Sequence, residues 1–400
     1  MIGKYRFSPH RARYIPHRPG LFVIHLFQAA YPDITVNVTW NGRENRNLVG
    51  LALESGEKID VFDTGDEFIF AHLTKYAADL ETVLDDPAIG AQGKSVRETL
   101  IQPLLYNFPV DGQAVQLPYQ PYAVLWFYNK DHFTDAGIAA EPKTWDDFIA
   151  ACQALKDAGH PCITTDVDAY LDILWGYGAE REFGGCQAVR DAMNDKLGEA
   201  WHDPKWLAMA NKWAELSANG YLLEGTEGNL FPAGQQSLAL GDVTMYLNGT
   251  WLPTEVQDTA GPTFNWGSFS FPDVEGGAGS RTHVMMGSQD LVLVQGSAHP
   301  AEAWLFIKWI VSKDVQQAMV DVANVPAIHV DVTWPDNLAE AQNAVMSSEM
   351  GLTWGCDIWT SDVSGIILPA FQELFLGTLT LADYIERLVT ETAKYWSSQQ

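Results

Sequence analysis

The sequence predicts an α/β protein whose sheets are covered by helices. Short apolar segments typical of strands occur at 58–65, 122–129, 243–249 and 290–296, and each ends in small or polar residues. Segments with helical periodicity lie between them, and this alternation favours sheets sandwiched by helices. With 400 residues, 47% of them apolar, the chain is long enough to bury a large core and to form two lobes.

The N-terminal 32 residues are basic and contain no acid; their cationic residues are Lys4, Arg6, Arg11, Arg13 and Arg18. One interpretation is an export signal, with an apolar segment at 21–27 and a cleavage site at 29–30. The alternative, which we prefer, is an amphipathic helix over 21–30 that runs into an alternating strand beginning at Ile34.

Later helices are marked by their capping residues. Thr144 with Asp147, and Thr380 with Asp383, have the spacing of capping boxes before the apolar stripes of 144–160 and 380–396. Proline after Asp203 and after His299 opens two more helices. The tryptophans on the apolar faces of these helices are predicted to lie mostly in the core.

The charge of the chain excludes some partners. A formal net charge of −27 and a pI near 4.5 would repel nucleic acid and anionic membrane surfaces. No run of about 18 apolar residues is present to span a bilayer. The four cysteines are Cys152, Cys162, Cys186 and Cys356, which lack the spacing of a zinc site. A disulfide between Cys152 and Cys162 is possible, but we favour buried free thiols.

The sequence offers no catalytic signature. It contains no GxSxG elbow, HExxH helix, P-loop or GxGxxG turn, and no motif selects the two carboxylates of a glycoside hydrolase. We therefore predict a protein that is not an enzyme and that holds no metal and no cofactor.

Three segments combine strands with aromatic, amide and carboxylate side chains, at 117–130, 245–251 and 283–294. A pyranose exposes C–H patches on its faces and hydroxyls at its rim, so its pocket needs aromatic surfaces together with Asp, Asn and Gln. These segments predict a sugar site. A binder of cationic ligands such as polyamines remains the alternative, because it would also use acids and aromatic walls.

The same residues carry a resemblance to a known family. The segments at 31–62, 117–138 followed by 142–148, 241–251 and 264–273 resemble the carbohydrate-binding solute-binding proteins of ATP-driven (ABC-type) importers, family 1. Their order and spacing match over about 21–396.

This resemblance implies a two-lobed, periplasmic-binding-protein-like fold of type II with three hinge crossings near 120–125, 260–268 and 322–330. The N-terminal lobe would comprise 1–122 and 265–324, and the C-terminal lobe 123–264 and 325–400. A monomer outside the cytoplasm would trap a carbohydrate in the interlobe cleft and deliver it to the membrane permease.

The resemblance also implies the site residues. In the first lobe they are Arg43, Thr64, Gly65, Asp66, Tyr119, Gln120, Tyr122, Gly287, Ser288 and Asp290. In the second lobe they are Trp175, Asn248, Gly249 and Trp251. The alternatives are Asp66 as a helix N-cap and Arg43 as a solvated surface residue. Tyr122, Trp175 and Trp251 could instead pack in the core, and the segment of Gly287, Ser288 and Asp290 could be a plain turn.

A further candidate segment, 353–362, is predicted from its composition. Trp354, Asp357 and Trp359 lie there in a stretch without helical period, together with Asp362. Exposed indoles beside acids in a loop are typical of a binding surface.

The start of the chain departs from the family. Its first strand and the loop after it should precede the 21–30 helix, and residues 1–20 do not match them. A misplaced start site or a recombined 5′ end would explain this and the missing lipobox cysteine. An upstream reading frame encoding a signal and that strand would support the hypothesis, and its absence would refute it.

Overall fold

The chain divides into two compact units in a computed structural model that describes residues 3–8, 19–358 and 361–399, with side chains for 23–42, 44–358 and 363–399. Unit 1 contains the described residues up to Tyr122 together with Gly287–Gln342. Unit 2 contains Ala123–Met286 and the described residues from Asn343 onward.

The described residues form nine strands connected by helices and short 3-10 turns. The strands are β1 (Gly3–Ser8), β2 (Thr35–Trp40), β3 (Val61–Gly65), β4 (Leu117–Asn129), β5 (Ile163–Thr164), β6 (Met245–Gly249), β7 (Trp266–Phe269), β8 (His283–Leu293) and β9 (Met350–Leu352).

The helices alternate with these strands along the chain. They are α1 (Pro19–Ala30), α2 (Asn45–Glu54), α3 (Asp66–Phe68), α4 (Gln102–Leu105), α5 (Lys130–Asp135), α6 (Trp145–Asp157), α7 (Leu171–Phe183), α8 (Gln187–Asn194), α9 (Pro204–Ala218), α10 (Ala233–Leu240), α11 (Leu252–Glu255), α12 (Gln257–Ala260), α13 (Pro300–Ile310), α14 (Lys313–Ala323), α15 (Ala339–Met346), α16 (Ser361–Phe375) and α17 (Leu381–Ser398). None of the helices in the described part of the chain is long and apolar enough to cross a membrane.

Unit 1 is built on an antiparallel sheet in the order β2–β1–β3–β8. Residues 1–20, which we expected to lack the first strand, contain β1, so that expectation is wrong. Gly3 pairs with Trp40, and Lys4 pairs with Phe62. Helix α1 covers the predicted 21–30 and buries Phe27 against Phe306 and Trp309 of α13. The apolar segment that we weighed as an export signal is therefore a core helix.

Unit 2 is built on β4, β5, β6 and β7. Strand β4 pairs antiparallel with β6 and with β7, while β5 pairs parallel with β6. The first four residues of β8, 283–286, belong to unit 2. This part of β8 pairs parallel with β9, and His283 lies opposite Met350.

The predicted caps explain where the helices of unit 2 begin. Thr144 accepts a hydrogen bond from the Asp147 N–H at 3.1 Å, and Asp147 accepts one from the Thr144 N–H at 3.1 Å, which completes the capping box of α6. Asp203 caps α9 by accepting from the Lys205 N–H at 2.9 Å. Thr380 caps α17 by accepting from the Asp383 N–H at 3.2 Å.

The division into units falls after Tyr122, after Met286 and after Gln342, while the predicted lobe boundaries stay predictions. Residues 265–286 belong to unit 2, because β7 pairs with β4 from Trp126 to Asn129. Residues 325–342 belong to unit 1, because the Ile328 N–H donates to Gln316 at 2.8 Å and the Ile328 carbonyl accepts from Ile101 at 3.1 Å.

Tyr177 of α7 joins β4 and β8, the two strands in which the chain passes from one unit to the other. Its hydroxyl donates to the Val124 carbonyl at 2.7 Å and accepts from the Met285 N–H at 2.8 Å. Its ring stacks on Phe271 with centroids 5.0 Å apart. Full burial raises the pKa of Tyr177 to about 12, so the hydroxyl stays a donor.

All four cysteines form disulfides, so our preference for free thiols is wrong. Cys152 of α6 is bonded to Cys162 just before β5, and their Cα atoms are 5.1 Å apart. Cys186, the residue before α8, is bonded to Cys356 across 170 residues of sequence, with a Cα separation of 5.0 Å. The second pairing was not visible in the sequence because only tertiary packing brings these residues together.

Candidate ligand-binding site

Asp66 is the polar centre of unit 1. It begins α3 directly after β3, and only 1% of its surface is exposed. One carboxylate oxygen accepts from the Glu67 N–H at 3.0 Å. The other accepts from Asn107 Nδ2 and from the Ser288 N–H, each at 3.1 Å. Asp66 is therefore not the N-cap of α3, which is Gly65, and donors from three separate segments converge on its carboxylate.

Asp290 lies beside Asp66 because β3 pairs with β8 in a register that places Thr64 opposite Asp290. The Ser288 hydroxyl donates to the Asp290 carboxylate. Burial raises the pKa of Asp290 to about 8, although the Ser288 hydrogen bond opposes the shift. Burial and then the Glu67 carboxylate raise the pKa of Asp66 well above its ordinary value.

Gly287 is the position at which the aromatic and acidic side chains of unit 1 meet. A Cβ atom there would lie 2.4 Å from the Tyr122 hydroxyl oxygen and 2.8 Å from Asp66 Oδ2. Only glycine therefore allows the phenol and the carboxylate to converge on this backbone. Burial, followed by the charges of Glu67, Asp66 and Asp290, raises the pKa of Tyr122 well above its ordinary value.

The other predicted residues of unit 1 are less central. Tyr119 is fully buried and its hydroxyl donates to Asp63 Oδ2 at 2.7 Å, so the structure assigns it to the core and corrects the prediction. Thr64 is buried in β3, Gly65 precedes Asp66, and Gln120 is half-buried in β4. Arg43 lies in the 3-10 turn Gly42–Glu44, but its side chain is outside the described part.

Three residues of this region were not predicted, namely Glu67, Asn107 and Gln116. Gln116 Nε2 donates to the Asp66 carbonyl at 3.3 Å, while its Oε1 is buried without a hydrogen-bond partner. Asn107 and Gln116 flank a loop without periodicity, so no local pattern indicated them. Glu67 was overlooked although it follows Asp66.

Trp251 and Trp354 form an aromatic surface in unit 2, which we call the indole platform. Their rings are nearly parallel, at 23°, with centroids 6.1 Å apart, and both are half-exposed. A sugar ring held between two aromatic faces would need about 7–8 Å, since each contact takes about 3.5–4.0 Å. The two indoles therefore do not sandwich a ring but present a joint surface.

Gly249 supports this platform. A Cβ atom at residue 249 would lie 2.2 Å from two ring atoms of Trp251, so the indole packs directly on the glycine backbone. Asn248 is fully buried, and its Oδ1 accepts from the Gly249 N–H at 2.7 Å. Asn248 Nδ2 is buried without a partner among the described residues.

Asp172 fixes the second indole. Trp354 Nε1 donates to the Asp172 carboxylate, which also accepts from the Ile173 N–H at 2.9 Å. Burial raises the pKa of Asp172 to about 6, while the Trp354 hydrogen bond lowers it. Asp172 was not among the predicted site residues.

The segment that carries Trp354 has an unusual backbone. Gly355, Cys356 and Asp357 have φ values of 56°, 57° and 76°, a left-handed turn that the Cys186 disulfide holds in place. Asp357 accepts from Thr353 Oγ1 at 2.5 Å and pairs with Arg190. Its carboxylate thus stabilises the turn. The predicted Trp359 lies outside the described residues.

Trp175, which we expected to contact a ligand, is a core residue, and that prediction is corrected. It is fully buried, stacks on Trp206 with centroids 5.6 Å apart, and donates from Nε1 to the Tyr384 hydroxyl at 2.9 Å. Its ring packs against Trp206 and Trp201, and its polar atom bonds to Tyr384, all within unit 2.

The family model of bacterial extracellular solute-binding proteins matches residues 19–317, more than half of the chain. The chain belongs to this family. The resemblance and the fold class predicted from the sequence are confirmed. The family is one of transport binding proteins rather than enzymes.

Individual relatives are distant in sequence. A putative binding protein of Brucella abortus is 23% identical over 300 residues, covering 72% of this chain and 67% of that protein. An uncharacterized ABC transporter extracellular-binding protein of Pyrococcus horikoshii is 22% identical over 222 residues, covering 54% of this chain and 49% of that protein.

Solved structures share the fold over nearly the whole chain. A chitin oligosaccharide binding protein has a TM-score of 0.72 at 20% identity and covers 96% of this chain and 98% of its own. The solute-binding protein RafE in complex with raffinose has a TM-score of 0.71 at 18% identity and covers 94% and 96%.

Proposed function

We propose that this protein is the substrate-binding component of an ABC-type importer and that it captures a sugar or oligosaccharide for delivery to the membrane permease. It acts as a monomer outside the cytoplasm, in the periplasm or on the outer face of the membrane. Two disulfides support that location, since such bonds persist in oxidising compartments.

The indole platform carries this proposal. Two half-exposed, nearly parallel indoles offer the flat apolar surface that the C–H face of a pyranose needs. The platform is held from below by Gly249 and at its edge by Asp172, so its geometry exists before a ligand arrives. A preformed surface spares the ligand the entropic cost of ordering side chains.

The polar groups complete the chemistry of sugar capture. A sugar hydroxyl that loses water without a new partner costs about 1–3 kcal/mol. Asp66 and Asp290 in unit 1 and Asn248 in unit 2 offer acceptors and donors of the kind that hydroxyls require. Stacking on the indoles adds about 0.5–1.5 kcal/mol.

The protein binds its ligand without altering it. A glycoside hydrolase needs an acid and a second carboxylate on opposite sides of one bond. The carboxylates of unit 2 described above already have partners within the protein, since Asp172 accepts from Trp354 and Asp357 pairs with Arg190. The permease then receives the intact sugar.

Isothermal titration with neutral and charged mono- to tetrasaccharides, and with spermidine, tests the proposal. We expect at least one carbohydrate to bind and to raise the melting temperature. Trp354→Ala should weaken that binding about tenfold, consistent with loss of about 1.4 kcal/mol of stacking. Trp266→Ala, which removes another half-exposed indole of unit 2, should not.

Chromatography of the recovered ligand completes the experiment. We expect it unchanged after prolonged incubation. Binding of spermidine but of no carbohydrate would overturn the sugar assignment in favour of a polyamine binder. Released monosaccharides would instead identify an enzyme.

A further inference from the structure

We propose that the ligand carries an ammonium group, as an amino sugar or an oligomer of amino sugars does, and that unit 1 binds this group through Asp66, Glu67 and Asp290. We call these three residues the acid cluster. This inference rests on the proposed function, since it names the class of carbohydrate that the protein captures.

When its carboxyls are ionised, the acid cluster has more acceptors than donors among the described residues. The donors that reach it there are the N–H groups of Glu67 and Ser288, the Asn107 and Gln116 amides and the hydroxyls of Ser288 and Tyr122, and each already serves Asp66, Glu67 or Asp290. Glu67 Oε2 is buried without a hydrogen-bond partner. A ligand that binds here must therefore supply donors.

Gln116 points to the same conclusion independently. Its side chain is 4% exposed, and its Nε2 donates to the Asp66 carbonyl at 3.3 Å. The amide also forms a hydrogen bond with Asp290, which places it between the two aspartates. Its Oε1 has no partner, so one more buried acceptor lies at the cluster without a donor.

No cationic side chain in the described part of the chain forms an ion pair with the acid cluster. The described residues also contain no group of three or more His, Cys, Asp or Glu side chains arranged to hold a metal ion. An organic cation on the ligand would supply the positive charge that the described side chains do not bring to the cluster.

An ammonium group matches this environment better than a hydroxyl. It offers three donors and no acceptor, whereas a hydroxyl brings one donor and two acceptor lone pairs into a region already rich in acceptors. Its charge also favours the ionised form of carboxyls that burial would otherwise keep protonated.

Binding of an ammonium group should release protons from the carboxyls of the acid cluster. The titratable groups that face the cluster are Asp66, Glu67, Asp290 and Tyr122, with the Asp63–Tyr119 hydrogen bond behind them. Burial raises the pKa of Asp290 to about 8, so this carboxyl holds a proton in the free protein near pH 6, and burial also raises the pKa of Asp66. An incoming ammonium displaces the proton of Asp290.

Three β-1,4-linked trisaccharides that differ only at carbon 2 provide the test: deacetylated chitotriose with ammonium, N-acetylchitotriose with acetamide, and cellotriose with hydroxyl. We expect the ammonium form to bind at least tenfold more tightly than the other two at pH 6.5. Its association constant should rise up to tenfold per unit between pH 5 and 7 for each proton released. Titrations in buffers of different ionisation enthalpy count those protons.

Asp290→Asn and Glu67→Gln should each reduce the preference for the ammonium form over cellotriose, taken as the ratio of the two association constants, at least fivefold. Asp314→Asn, an exposed acid of the same unit, is the control of equal charge change. Circular dichroism confirms folding of each variant.

The outcomes separate this inference from the proposed function. Tighter binding of cellotriose or N-acetylchitotriose than of the ammonium form, or no proton release, overturns the inference and leaves the sugar-binding function intact. Absence of binding by all three trisaccharides overturns the inference, and if the wider sugar panel also fails, the proposed function falls with it.

Discussion

Gly249→Ala is the substitution that the structure singles out most clearly. The added methyl group would lie 2.2 Å from the Trp251 ring, inside the 3.5–4.0 Å at which carbon atoms make ordinary contact. The indole must therefore withdraw by about 1.5 Å. Because Trp354 lies with its centroid 6.1 Å from that of Trp251, this movement changes the geometry of the whole indole platform.

The expected magnitudes follow from two effects. Overpacking of a well-packed position costs about 1–3 kcal/mol, and we expect the lower part of that range because the half-exposed indole can swing outward. Loss of the stacking geometry removes about 0.5–1.5 kcal/mol of ligand binding. The dissociation constant for the sugar should therefore rise about 3- to 10-fold.

Urea unfolding followed by circular dichroism measures the first effect, and isothermal titration measures the second. Gly228→Ala is the matched control, because its new methyl group would meet no heavy atom within 4 Å. We expect that control to stay within about 0.5 kcal/mol of the wild type.

A double-mutant cycle with Trp251→Ala isolates the cause. Without the indole there is nothing for the methyl group to displace, so Gly249→Ala should have little effect on stability in that background. An equal loss of stability in both backgrounds would refute the proposed contact. Unchanged sugar affinity of the single variant would refute the role of the platform.

Three further outcomes concern stability, each measured by urea unfolding. Tyr177→Phe leaves the Val124 carbonyl and the Met285 N–H without their partner and should lower the free energy of unfolding by about 1–3 kcal/mol. A loss below about 0.5 kcal/mol would contradict a stabilising role of these two hydrogen bonds. Asp172 has a pKa raised to about 6, so the folded state holds the extra proton and wild-type stability should fall as pH rises from 4 to 6, by at most about 3 kcal/mol. Asp172→Asn should remove that fall, and a persisting fall would exclude Asp172 as its source. Cys186→Ser should lower the free energy of unfolding more than Cys152→Ser does. Loop closure over 170 and 10 residues sets upper limits of about 5 and 3 kcal/mol on the two losses. Equal losses would contradict an explanation from the entropy of the unfolded chain.

The role of a residue could be predicted from the sequence where it depends only on neighbouring residues along the chain. The caps at Thr144 and Thr380 need only a spacing of three residues, and both are present as predicted. Trp175 was misassigned because the sequence pattern of an indole on a helix is the same whether the side chain contacts a ligand or packs on Trp206.

By itself the sequence determined the alternation of strands and helices, the helix starts and the family, because these depend on periodicity, capping chemistry and the order of local motifs. Only the tertiary structure decided the pairing of Cys186 with Cys356, the seating of Trp251 on Gly249, and the excess of acceptors around Asp66. Each of these is a contact between distant segments whose distance and burial no local pattern encodes.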